Sequence, residues 1–226
     1  MISKLKENIL GEVIAVSFIL LVFILAIPFY KIKPEYSRKE IHIMLGFFYF
    51  IALKYFTEWY FACLGPFVFI FINYFSVKYK LIKLMLRHEK EKDNIKIKKD
   101  YGTVYYAISL TIITIYSWKI RKPDIGLCPF LSMAFGDGLA CVIGGGIKSP
   151  YILIFGSKKS LVGSFTMFIV SFLLFEIYFL YYNNNIWNIK SFVMGFISMI
   201  LEAFSPCGID NLTVPLGNLF ITSFLV

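Results

Sequence analysis

Eight apolar runs, almost free of charge, alternate along this chain with short basic or Asn-rich stretches, and that alternation leaves few folds open. A run of about 20 apolar residues makes a helix long enough to cross the ~30 Å hydrocarbon core of a bilayer. The runs are 9–30, 41–56, 59–77, 101–118, 126–146, 161–182, 186–204 and 212–226, with the second and last the shortest. Composition agrees: 58% of the 226 residues are apolar and 16% charged, against ~45–50% and ~25% in soluble domains. An ordinary water-soluble globule is excluded. Lipid offers no partner to a free N–H or C=O, and the runs lack the two-residue alternation of a barrel strand. The expected fold is therefore all-α: a polytopic integral membrane helical bundle of about seven or eight transmembrane helices. One membrane-embedded domain, 1–226, accounts for the whole chain, with 78–100 read as a basic cytoplasmic loop.

Orientation follows from the basic residues, because Lys- and Arg-rich loops stay in the cytoplasm. With the first connection inside, that side receives sixteen of the 23 basic residues and the other side seven. The N-terminus is then expected outside, in a protein of the cell or endoplasmic reticulum membrane. The net charge of +9 is explained by this topology and by anionic headgroups, so no nucleic acid is expected as a partner. Cys63, Cys128, Cys141 and Cys207 form no C-x-x-C pair and lie near no ligand-like histidine, so neither a disulfide framework nor a zinc site is indicated.

Ionisable groups inside spans are costly and point to function. Asp137 stands mid-span between Gly136 and Gly138, where a discontinuous helix lining a polar cavity is expected. His42 opens the second run after Arg38 and Lys39, and Lys159, Ser160, Gly163 and Ser164 open the sixth. Glu202 closes the seventh, and Asp210 and Asn211 follow. In the derived orientation these ends all face the cytoplasm. Carboxylates beside cations and a Gly-rich turn provide hard oxygen ligands for Mg²⁺ and N–H and ammonium donors for a nucleoside triphosphate. Blander readings exist: Arg38 and Lys39 as interfacial anchors, Ser160 as a helix N-cap, Glu12 and Glu176 as structural groups. The 144–149 stretch lacks the P-loop spacing, and 136–141 lacks the third glycine of a dinucleotide-binding turn.

Five pieces, in order, resemble the CTP-dependent polyprenol kinases, that is dolichol and phytol kinases, which are related to the CDP-lipid cytidylyltransferases. They are Ser37-Arg38-Lys39-Glu40-Ile41-His42, Tyr101-Gly102-Thr103-Val104-Tyr105-Tyr106, Gly136-Asp137-Gly138-Leu139-Ala140 with Gly144, Lys159-Ser160-Leu161-Val162-Gly163-Ser164, and Asp210-Asn211-Leu212-Thr213-Val214-Pro215-Leu216. The chain departs from the pattern at Val162, where the family usually has Glu, and at Gly145, where a basic residue often stands. The resemblance implies a lipid kinase that transfers the terminal phosphoryl of CTP to a long isoprenoid alcohol. It implies catalytic roles for Asp137, His42 and Asp210, with Mg²⁺ on Asp137, Asp210 and Glu202. Arg38, Lys39, Gly136, Gly138, Lys159, Ser160, Gly163, Ser164 and Asn211 would bind nucleotide and phosphate. The alternatives are a CDP-lipid synthase and, in a different class, a secondary transporter with a coupling-ion site.

Overall fold

The computed structural model describes residues 2–91, 94–98, 100–154, 157–183, 189–206 and 208–226. Cys207 and the start of the seventh run, at 186, lie outside them. The chain is a helical membrane protein. Its helices are α1 (Ile2–Ile32), α2 (Pro34–Leu45), α3 (Phe48–Tyr55), α4 (Trp59–Tyr79), α5 (Gly102–Lys119), α6 (Leu127–Leu131), α7 (Gly138–Gly146), α8 (Leu161–Asn183), α9 (Ile189–Ala203) and α10 (Asp210–Leu225). A π-helical turn, Ser132–Asp137, joins α6 to α7.

Among the described residues four helical stretches are long and apolar enough to cross a membrane: α1, α4, Pro123–Gly146 and α8. The other expected spans differ for physical reasons. The second run folds as two pieces, α2 and α3, joined at Gly46 and Phe47, where the dihedrals stay helical but the bonding tightens to i→i+3. The helix α5 is 18 residues long but only moderately hydrophobic, because it lies inside the bundle and eleven of its residues are buried. Thr111 and Thr114 return their hydroxyls to carbonyls of α5 itself, so polar side chains are tolerated there. Around it the packing closes on Tyr49, Ile113, Ile125, Phe130 and Met133, all fully buried. Tyr49 donates to the Pro123 carbonyl at 2.8 Å and Trp118 to that of Phe56 at 2.9 Å, so the largest polar rings in this core are satisfied.

The outward face is apolar. Val13, Val16, Leu20 and Ile24 of α1, and Phe67 and Phe71 of α4, are exposed, a surface that only lipid covers without penalty. The segment expected as a loop contains a 3₁₀ turn at Lys83–Met85 and an antiparallel hairpin, β1 (Arg87–Glu91) with β2 (Asn94–Lys98), in which Arg87 faces Lys98. A second hairpin, β3 (Tyr151–Ile154) with β4 (Ser157–Ser160), precedes α8 and sets Ile152 opposite Lys159. These short ribbons are the departures from an all-helical chain among the described residues, and both border the site.

Candidate active site

The polar helix ends meet in one basin of about 700 Å³, within the ~300–1,000 Å³ usual for small-molecule sites. Three carboxylates from three elements lie together in it: Asp137 on the π turn, Glu202 near the end of α9 and Asp210 at the start of α10. All three are buried, and one oxygen of each lies within 4.8 Å of the others. Unscreened, each like-charged pair at that spacing repels by roughly 3–4 kcal/mol at an effective dielectric constant near 20. Two lysines offset this. Lys39 Nζ bonds Asp137 Oδ2 at 2.7 Å, and Lys159 Nζ bonds Glu202 and lies 3.4 Å from Asp210 Oδ2. Burial pulls the Lys159 ammonium down, but Asp210 and Glu202 more than compensate and keep it charged. Burial, reinforced by the Asp137 carboxylate, pushes the Asp210 carboxyl up.

The second helix positions its share through local anchors. Ser37 donates to the Leu84 carbonyl at 3.2 Å, tying α2 to the 3₁₀ turn, and Arg38 pairs with Glu35 one turn earlier. His42 Nε2 lies 3.3 Å from Asp137 Oδ2 and 3.4 Å from the Met133 carbonyl. Its ring packs edge-on against Tyr106, whose hydroxyl donates to the His42 carbonyl at 3.1 Å. With two oxygens in front of Nε2, that nitrogen carries the proton, and Nδ1 is left as an acceptor.

The expected discontinuous helix is instead a continuous one with a π turn, which keeps the backbone paired while rotating Asp137 into the basin. Its glycines do a different job from the one expected. A Cβ on Gly136 would stand 2.4 Å from Met167 Sδ, and one on Gly138 2.3 Å from Ile43 Cγ1. Both therefore permit helix contact, and neither lines the basin. Arg38, Lys39, Lys159, Ser160, Gly163, Ser164 and Asn211 do line it. Ser160 Oγ also accepts from Gly163 N–H at 3.1 Å, so it caps α8 as the blander reading has it.

Asp100 is a further residue of the site, outside the set expected from the sequence. It accepts from Gly102 N–H at 2.8 Å and pairs with Arg87 at 3.1 Å, fastening the first hairpin to α5 at the rim of the basin. The signal was an aspartate two residues ahead of a helix. Gly208 answers it: with φ +80, it presses its backbone against Gly102, where a Cβ would come within 2.8 Å of Gly102 Cα. This contact sets the start of α10, and hence Asp210, beside α5.

The donor set fits Mg²⁺. It consists of hard oxygens, and Glu202 Oε2 and Asn211 Oδ1 are buried without a hydrogen-bond partner, free for an ion or its water.

Comparison with known proteins points the same way as the geometry. The chain is 37% identical over 127 residues to the phytol kinase of Synechocystis sp., covering 55% of this chain and 54% of that protein. It is 28% identical over 211 residues to the chloroplastic phytol kinase 1 of Arabidopsis thaliana, covering 83% of this chain and 66% of that one. The matched region thus spans about half the length of the Synechocystis protein and about two thirds of the Arabidopsis one. No family model matches the chain, and no solved structure matches it. Several phytol kinases align over much of the chain, and it is to the polyprenol and phytol kinases that the chain is similar.

Proposed function

We propose that this protein is a lipid kinase that moves the terminal phosphoryl of a nucleoside triphosphate, CTP by family resemblance, onto the hydroxyl of a long isoprenoid alcohol of the phytol, geranylgeraniol or dolichol type. The observation that carries this reading is the meeting of Asp137, Glu202 and Asp210 with two lysines in one basin beside the membrane-embedded helices. Phosphoryl transfer asks chiefly for positioning and charge neutralisation. Asp137, Asp210 and Glu202 would hold Mg²⁺, which when bound screens the phosphate charge. Lys39 and Lys159 would turn to phosphate oxygens, joined by Arg38. Ser160, Gly163, Ser164 and Asn211 line the same basin and would contact the nucleotide.

His42 takes the alcohol's proton on Nδ1, its ring oriented by the hydrogen bond of Nε2 to the Met133 carbonyl, with Asp137 Oδ2 3.3 Å away. The alcohol oxygen bonds to the γ-phosphorus, the bond from that phosphorus to the bridging oxygen breaks, and the nucleoside diphosphate leaves with the electron pair. By the distribution of basic residues the basin faces the cytoplasm.

The test is purified protein in detergent with Mg²⁺, a twenty-carbon isoprenoid alcohol and CTP labelled at either the γ- or the α-phosphorus. Label reaching lipid from the γ-position supports the kinase. Label from the α-position, with a phosphatidate-type lipid as acceptor, would replace it with a CDP-lipid synthase.

A further inference from the structure

Behind the basin runs a second cavity of different character. It lies between α2, α4 and α5 and holds about 670 Å³ of empty space including its mouth, yet only about 50 Å³ is left for the centres of water-sized molecules. On that measure the polar basin is far wider, at about 700 Å³. The slot is thus narrow, and its walls are apolar except at one end. Asn73 and Gly102 mark the polar end, where Asn73 donates to the Thr103 carbonyl at 2.8 Å. Leu45, Phe48, Gly65 and Leu110 mark the other. From Asn73 to Gly65 the lining climbs eight residues of α4, about 12 Å of helix rise.

Two observations connect slot and basin. Arg38 and Asn211 line both cavities. His42 lines the slot and Asp137 the basin, and their 3.3 Å contact forms the partition between them. Asn73 Oδ1 is buried and has no hydrogen-bond partner, which gives the polar end an acceptor for an arriving hydroxyl.

Resting on the kinase reading, we infer that this slot is the acceptor site: it holds the head-proximal isoprenoid units of the alcohol, with the hydroxyl at the polar end and the chain directed toward Gly65. Width selects for a single flexible chain over a two-tailed lipid, and depth selects for length. Gly65 sets the depth, because nothing but the Phe48 ring, at 3.8 Å, would face a Cβ there and a larger side chain would project into the lining.

The experiment uses the full chain in detergent and compares kcat/KM for a twenty-carbon and a five-carbon isoprenoid alcohol. Gly65→Phe fills the far end and is expected to lower the ratio of the two by about tenfold or more, mainly through KM for the longer alcohol. Leu64→Phe, on the lipid-facing side of the same helix, is the control and should leave the ratio at the wild-type value. An unchanged ratio in Gly65→Phe overturns the assignment. Photo-crosslinking of the wild-type protein with a diazirine-bearing twenty-carbon alcohol decides the matter even where the variant does not fold. Adducts at Gly65, Phe69, Asn73, Thr103, Tyr106 or Leu110 are expected, and adducts confined to lipid-facing positions such as Leu64 and Phe67 overturn the slot. Should the wild type phosphorylate neither alcohol, the kinase reading fails on its own, and the crosslinks still report whether the slot takes the chain.

Discussion

Replacing Lys39 by Met tests the electrostatic construction of the basin directly. The ammonium lies 2.7 Å from Asp137 Oδ2, and the two side chains are 5% and 11% exposed. At an effective dielectric constant near 20 that contact is worth roughly 6 kcal/mol of Coulomb attraction, part of which only repays desolvation. Met keeps the aliphatic stem and strands a buried carboxylate beside Glu202 and Asp210, with His42 as its remaining partner. Removing one member of such a pair costs about 3–5 kcal/mol. For a chain of this size, at roughly 2–4 °C per kcal/mol, the midpoint should fall by about 10 °C. The assay is thermal unfolding in detergent with a chelator present. Adding Asp137→Asn removes the stranded charge, so the double variant should recover most of the loss, with a coupling of about 2–4 kcal/mol. Mg²⁺ should raise the midpoint of Lys39→Met more than that of the wild type, because a cation in the cluster replaces the lost charge. A single variant within about 1 kcal/mol of wild type, or a double variant no more stable than the single, would refute the reasoning.

Asp137→Asn alone should cut phosphoryl transfer to lipid by about a thousandfold, measured with γ-labelled nucleotide; a retained full rate removes that carboxylate from the mechanism. Gly208→Ala must accommodate a side chain at φ +80 and a contact of 2.8 Å with Gly102 Cα, and should lose about 2 kcal/mol or more in thermal unfolding. Trp118→Phe leaves the Phe56 carbonyl without its donor and should cost about 1–2 kcal/mol in the same assay. In a background without native cysteines, cysteine at Lys148 should react with an impermeant maleimide only from the cytoplasmic side, and cysteine at Lys119 only from the other; the opposite pattern inverts the proposed orientation.

How much of this was legible beforehand varies residue by residue. The apolar runs at 9–30 and 161–182 became α1 and α8 almost unchanged, because a helix facing lipid has little to satisfy beyond its own backbone. The run at 41–56 folds as α2 and α3 with a break at Gly46 and Phe47 that hydropathy does not mark, and its end reaches Asn8 at the start of α1. The carboxylates and the lysines were visible as costly residues, yet their pairing was not. The sequence suggests Lys159 as a phosphate ligand, and the structure shows it holding Glu202 and Asp210. Gly136 and Gly138 suggest openings toward a ligand, whereas their close contacts with Met167 and Ile43 belong to helix packing.

The sequence by itself determined the solvent of the fold and the residue types at the membrane face. Hydropathy and the cost of a charge in lipid are properties of each residue in its own run, and they add up locally along the chain. Tertiary structure alone decided which groups meet. Lys39 and Asp137 are separated by 98 positions, and Lys159 and Glu202 by 43, so their contacts depend on how α2, α8, α9 and α10 cross. The same crossings leave a narrow apolar slot beside a wide polar basin, divided by His42 and Asp137, a feature carried by no single segment.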